Sequence, residues 1–283
     1  MNKKRSLMQK LCLAPHYLWC ALFIIVPLLF ITFFAFTEST LGMENAGGFT
    51  LSNFGKIFTE GLYVNTFLTS LLYAFIATAV CLLIAYPTAY FMSGLKKSGQ
   101  KMMMILLMLP MWMNFLVRTY TLTQLLDTNG LINQLLGLFG VEPVRFLGTG
   151  AAVVLGMVYN YLPYMVLPIY TVMSKLDTRL IEAASDLGAN SFQALLRVTL
   201  PLTLSGIVSG ITMVFVPSIS TFYVAKAMSN GSISLIGDVI EMEFGALNYA
   251  TGSSLSFVLM ILIFISMFLM NRFGEGNEGG MMA

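Results

Sequence analysis

Six apolar stretches, each close to twenty residues long, run approximately over 17–36, 66–92, 103–126, 150–174, 201–223 and 253–271. A helix rises 1.5 Å per residue, so about twenty apolar residues cross the roughly 30 Å hydrocarbon core of a bilayer. The pattern predicts an all-α integral membrane protein with six transmembrane helices in one membrane domain, residues 17–271. Composition agrees: 57% of residues are hydrophobic and 10% are charged, where a soluble domain carries roughly 25% charged residues.

Charge placement predicts topology. Six spans put both termini on one side. Lys96, Lys97 and Lys101 lie in 93–101, and Lys175, Arg179 and Arg197 in 175–200, whereas 37–65, 127–149 and 224–252 hold one basic residue each. The Lys/Arg-rich side also holds Lys3, Lys4, Arg5, Lys10 and Arg272. By the positive-inside rule that side is the cytoplasm. Residues 1–16 are then a cytoplasmic N-terminal segment, and the Gly-rich stretch 272–283 is expected to be a disordered cytoplasmic tail. Lys3–Arg5 before an apolar run could open a signal peptide, but the run is long and lacks a small-residue cleavage site, so a retained first helix is expected. The outward segments hold most of the acidic residues and the Asn129-Gly130 and Asn230-Gly231 pairs. They are expected to be loops or short re-entrant helices.

The net charge of +2 is too small to suggest a nucleic-acid partner, and His16 is the single histidine. Cys12, Cys20 and Cys81 lack metal-ligand spacing and fit packing roles. No catalytic set forms, so no enzymatic activity, metal or cofactor is expected in this chain. Gly94 and Gly99 stand at phosphate-loop spacing, but Gln100 replaces the lysine that would reach the phosphates. ATP and Mg, if they drive the protein, belong to another chain. The 21 methionines fit gap-filling better than a copper pathway.

The segment 175–201 is more specific. Asp177 or Thr178 can cap a helix rich in Ala, Leu and Glu, Gly188 can close it in a left-handed turn, and Ser191 can cap a second helix running to Pro201, where the next span begins. On spacing alone this is an amphipathic cytoplasmic loop. However, Glu182-Ala183-Ala184, Gly188 four residues on and Val198-Thr199-Leu200-Pro201 after nine more resemble the EAA loop of ABC importer permeases, with Val198 in an isoleucine position. The resemblance implies a type I ABC importer permease fold. It also implies that Glu182, Ala183, Ala184, Asp186, Gly188 and Pro201 form the coupling site for a cytoplasmic ATPase homodimer. Further implied partners are a second permease subunit and an extracytoplasmic substrate-binding protein, and the location is a prokaryotic cell (inner or plasma) membrane.

Leu109-Pro110-Met-Trp112-Met-Asn114 through Arg118-Thr-Tyr120, Tyr159-Asn160-Tyr161-Leu-Pro163-Tyr164, and Leu235-Ile236-Gly237-Asp238 are similar to the PotB-type permease family of spermidine/putrescine importers, with PotC-like and PotD-like partners. Polyamines are flexible polycations, suited to carboxylates and aromatic faces. Candidate pathway residues are Trp112, Asn114, Tyr120, Tyr159, Tyr161, Tyr164, Tyr223, Asp238 and Glu241, although aromatic residues at membrane ends also serve as interface anchors. Arg118 has the wrong sign to grip a polycation. As an ionisable group inside a span it fits a structural or gating role, paired with a carboxylate of this chain or its partner. Pro163, Pro168 and Pro217 are expected to kink helices. An importer of another small solute, such as an oxyanion, ferric ion or thiamine, shares parts of the pattern. An ion-driven secondary transporter would call for inverted repeats or paired intramembrane acids, and neither is evident.

Overall fold

The computed structural model describes residues 13–38 and 48–275. Thirteen helices account for most of them. In chain order they are α1 (Leu13–Ala35), α2 (Ser52–Thr59), α3 (Gly61–Ser93), α4 (Lys97–Trp112), α5 (Phe115–Leu126), α6 (Leu131–Leu138) and α7 (Gly150–Met173). These are followed by α8 (Thr178–Asp186), α9 (Ser191–Leu202), α10 (Leu204–Ile219), α11 (Tyr223–Met228), α12 (Ile236–Gly245) and α13 (Tyr249–Glu275). Among the described residues the only extended pairing is an isolated bridge between Thr37 and Phe49.

Four helices, α1, α3, α7 and α13, are long and apolar enough to span a membrane by themselves. The predicted third and fifth spans are broken. α4 and the α5–α6 stretch meet at 96°, and α9 meets α10 at 69°, so the number of spans reaches six when each bent pair counts as one. The cause of the first break is local: Asn114 Oδ1 accepts from the backbone N–H of Leu116 at 2.9 Å and Val117 at 3.4 Å, starting a new helix inside the apolar run. At the second, Thr203 is fully buried, and its hydroxyl lies 2.9 Å from the Thr199 carbonyl and 3.3 Å from the Tyr86 hydroxyl. The helix past this break, α10, therefore starts at Leu204 and not at Pro201. By contrast, Pro163 and Pro168 both sit inside the unbroken α7. The helix α13 runs through Gly274 to Glu275, into the stretch 272–283 expected to be a tail. Residues 1–12 and 276–283 lie outside the described residues.

The contacts divide the chain into two compact units. One comprises the described residues up to Val64 with Val239–Ile261. In it Asn53 Nδ2 donates to the carbonyls of Ala35 and Thr37, at 3.3 and 3.1 Å, and Phe36 packs between Phe49, Phe54 and Phe257. Glu243 accepts from the Tyr63 hydroxyl at 3.1 Å and from Asn248 Nδ2 at 2.8 Å.

The other unit, Asn65–Asp238 with the residues from Leu262 onward, holds the main core. Ala77, Cys81, Ala85 and Ala89 recur every four residues, giving α3 a narrow buried seam of small side chains. Cys81 thus packs as expected. The central α7 buries Val153, Met157, Met165, Val166 and Ile169. Against it α10 brings Gly206 and Gly210 so close that a Cβ on Gly206 would lie 2.9 Å from the Pro168 carbonyl, and one on Gly210 2.7 Å from Met165 Sδ. This small-xxx-small approach lets two membrane helices pack backbone to backbone.

Candidate functional site

Two arrangements in the second unit stand out, one exposed and one buried. The exposed one is the helical hairpin α8–α9. Asp177 Oδ1 accepts from the Arg179 N–H at 3.0 Å, capping α8. At the other end, Gly188 takes φ +88°. Its N–H bonds the Ser185 carbonyl at 2.9 Å, while the Ala189 N–H reaches the Ala184 carbonyl at 3.0 Å. That pair of bonds is a Schellman closure and requires a residue comfortable in the left-handed region. Asn190, not Ser191, caps the second helix: its Oδ1 accepts from Gln193 N–H at 2.8 Å, and Gln193 Oε1 accepts from Asn190 N–H at 3.0 Å. Both side chains thus satisfy donors that a helix start leaves free.

No residue of α8 is buried. Glu182, Ala183, Asp186 and Gly188 are exposed, Ala184 is half-buried, and Pro201 is exposed beyond the π turn Leu195–Thr199. Leu187 is 90% exposed and Phe192 66% exposed. Apolar side chains displayed on a charged hairpin form a surface suited to a partner.

The buried arrangement lies at the 96° elbow. Arg118, 3% exposed, donates through Nε to Asn160 Oδ1 at 2.8 Å and through Nη1 to the Pro110 carbonyl at 2.9 Å. Asn160, fully buried, donates in turn to Thr119 Oγ1 at 3.1 Å and to the Gly156 carbonyl at 2.8 Å. The guanidinium stands 6.0 Å from the Phe115 ring, which stacks on Tyr161 at 6.4 Å. Among the described residues Arg118 donates to an amide oxygen and a carbonyl, both neutral, where the expectation named a carboxylate of this chain or its partner. The arrangement is fit for fastening a bent helix to α7. It offers no anionic group with which to grip a cation.

The pathway candidates scatter. Tyr161 joins the buried knot through Phe115 and lies 3.4 Å from the Pro217 carbonyl, and Asn114 is the cap that forms the elbow. Trp112, Tyr120 and Tyr159 are 76%, 56% and 41% exposed, while Tyr164 and Tyr223 are half-buried. Asp238 Oδ2 accepts from the Leu235 N–H at 2.8 Å at the start of α12, and Glu241 is exposed on the same helix. Asn160 is the site residue that sequence reasoning misses. A polar amide in the middle of an apolar run is the signal that points to it.

Apolar, repeatedly broken helices with a capped, exposed helical hairpin fit the architecture of an ABC importer permease. A solved chain of a bacterial alginate ABC transporter, crystallised with an alginate pentasaccharide-bound periplasmic protein, has the same fold, with a TM-score of 0.79 and 14% identity over 95% of this chain and 94% of that one. Among curated relatives, the spermidine/putrescine transport system permease protein PotB of Haemophilus influenzae is 38% identical over 267 residues, covering 93% of each chain. PotB of Escherichia coli K12 is 37% identical over 248 residues, 87% of this chain and 90% of that one. No family model matches the chain. The chain belongs to the PotB family of ABC transporter permeases. It is a multi-pass membrane protein and the permease component, not the ATPase, of an ABC importer.

Proposed function

We propose that this permease carries polyamines, spermidine or putrescine, inward across a prokaryotic cell membrane with both termini cytoplasmic. The work is done by ATP and Mg bound to a separate ATPase homodimer, while this chain performs no reaction of its own. A second permease subunit completes the pathway, and an extracytoplasmic binding protein delivers the solute. The observation that carries the coupling half of this reading is the α8–α9 hairpin, capped at each helix start, closed at Gly188 and exposing Leu187, Phe192 and Glu182. The substrate half rests on the relatives.

In this scheme Glu182 and Asp186 make the polar contacts to the ATPase, and Ala183 and Ala184 permit close approach. Gly188 and Pro201 set the hairpin's direction. The Arg118–Asn160 knot holds the elbow against α7 and serves as a structural or gating element. Trp112, Asn114, Tyr120, Tyr159, Tyr161, Tyr164, Tyr223, Asp238 and Glu241 remain the candidates for the pathway, of which Asn114 and Tyr161 also shape the elbow.

ATP-dependent uptake of labelled spermidine into vesicles holding this chain with its co-encoded permease, ATPase and binding protein tests both halves. Uptake that Glu182→Lys abolishes is the expected result. Absence of spermidine uptake, with ATPase activity stimulated by a different solute, would overturn the substrate and leave the coupling role standing.

A further inference from the structure

Gln100, which stands where a phosphate loop would need lysine, has another use in the structure. Its Nε2 donates to the carbonyls of Ser93 at 3.0 Å and Leu95 at 2.9 Å, and its Oε1 accepts from the Tyr170 hydroxyl at 3.1 Å. One amide thereby ties together the end of α3, the first turn of α4 and the last turn of α7, with both its donors engaged. Tyr170 is 5% exposed and lies one turn before α7 ends and the hairpin begins.

At the far end of α4, the Pro110 carbonyl accepts from Arg118, which also binds Asn160 of α7. The two fastenings are in register. Gln100 to Pro110 and Asn160 to Tyr170 are each ten residues, about 15 Å of helix, and they run antiparallel. The half-span α4 is therefore pinned to α7 at both ends, as a strut lies along a beam. A cavity of about 460 Å³ lies beside the α3 end and the hairpin, lined by Ser93, Gly94, Leu95, Ser174, Thr178 and Ile181, among others. Motion of the hairpin can reach α4 through α7, on whose core α4 packs through Met103, Met104 and Leu107 and to which the pins hold it.

The geometry points to Gln100 and Tyr170 as a positioning pair that makes α4 follow α7 when the hairpin moves, delivering the displacement to the 96° elbow. This rests on the coupling role proposed for the hairpin. It requires neither residue to touch the solute or the ATPase.

The test uses the assembled importer carrying Tyr170→Phe, Gln100→Leu or both. Hydrogen–deuterium exchange over 93–101 and 175–190 is compared between the resting and ATP-trapped states, and spermidine carried per ATP hydrolysed is measured alongside. Both segments should change exchange on trapping in the unaltered complex. In either variant only the hairpin does, and the transport-to-hydrolysis ratio falls roughly two- to tenfold, the range expected for one net hydrogen bond. The double variant is no worse than Gln100→Leu, because the two changes remove one shared contact. Tyr170→Phe deletes a single oxygen and keeps its packing, so its thermal midpoint should fall only by the small amount that one hydrogen bond is worth, with the complex still assembled. Concerted change of both segments in Tyr170→Phe, or an unaltered ratio, would overturn the pair's role. A hairpin that stays unchanged on trapping in the unaltered complex would overturn the coupling reading itself, and the positioning role with it. If spermidine uptake alone is missing, the exchange measurement still decides the pair's role by the same criterion.

Discussion

The hairpin and the elbow knot solve opposite problems. The hairpin has almost no interior, and its shape is held by bonds between residues two to five apart: Asp177 to Arg179, Gly188 to Ser185, Asn190 with Gln193. The knot is all interior, and its defining bond, Arg118 to Asn160, joins residues 42 apart. A surface made by local backbone rules can be reshaped without unfolding the bundle. A buried guanidinium cannot lose a partner without stranding charge away from water. The difference marks where the protein is plastic and where it is rigid.

Replacement of Asn160 by leucine should bring out the rigid side most strongly. It leaves Arg118 Nε unpaired in the bundle and is expected to cost about 2–3 kcal/mol, read as a lowered thermal midpoint in detergent. Arg118→Met combined with Asn160→Leu should recover part of that loss, since no charge is left stranded. Strictly additive effects would show that the two residues do not form a unit.

On the plastic side, Gly188→Val forces a β-branched residue to φ +88° at a cost of about 1–2 kcal/mol. Nothing lies within 4 Å of the added Cβ, so the strain stays in the turn. The expected outcome is faster amide exchange at 184–190 and lost transport, with a thermal midpoint close to the original. Normal transport by this variant would remove Gly188 from the coupling scheme. The smallest effect belongs to Asn190→Ala, which deletes half of the capping box and should cost about 1 kcal/mol. Exchange confined to the first turn of α9, with transport reduced only a few-fold, is the expected result, whereas global destabilisation would mean that the hairpin is less independent than its contacts indicate.

The same contrast governs what the sequence makes legible. Asp177 and Gly188 can be placed from sequence because cap and turn chemistry acts between near neighbours. The choice of Asn190 over Ser191 cannot, since either can cap and they are adjacent. Hydropathy averaged over twenty residues locates the spans but hides the break at Asn114, where a single side chain outweighs the surrounding apolar run. Arg118 stands out as a charge in a membrane segment, yet its partner cannot be read, because Asn160 meets it only once α5 has folded back on α7. Gly206 and Gly210 carry a small-xxx-small spacing whose meaning appears only with Met165 and Pro168 opposite.

That glycine seam also bears on how faithfully a stroke can be passed along. The two stems from which the hairpin grows, α7 ending at Met173 and α10 following Thr203, are the helices that Gly206 and Gly210 press backbone to backbone. Long side chains between stems would act as springs, yielding by changing rotamer before either helix had shifted. Where Gly206 meets the Pro168 carbonyl there is little to yield, and under the proposed coupling the joint would work like a gear train cut without backlash.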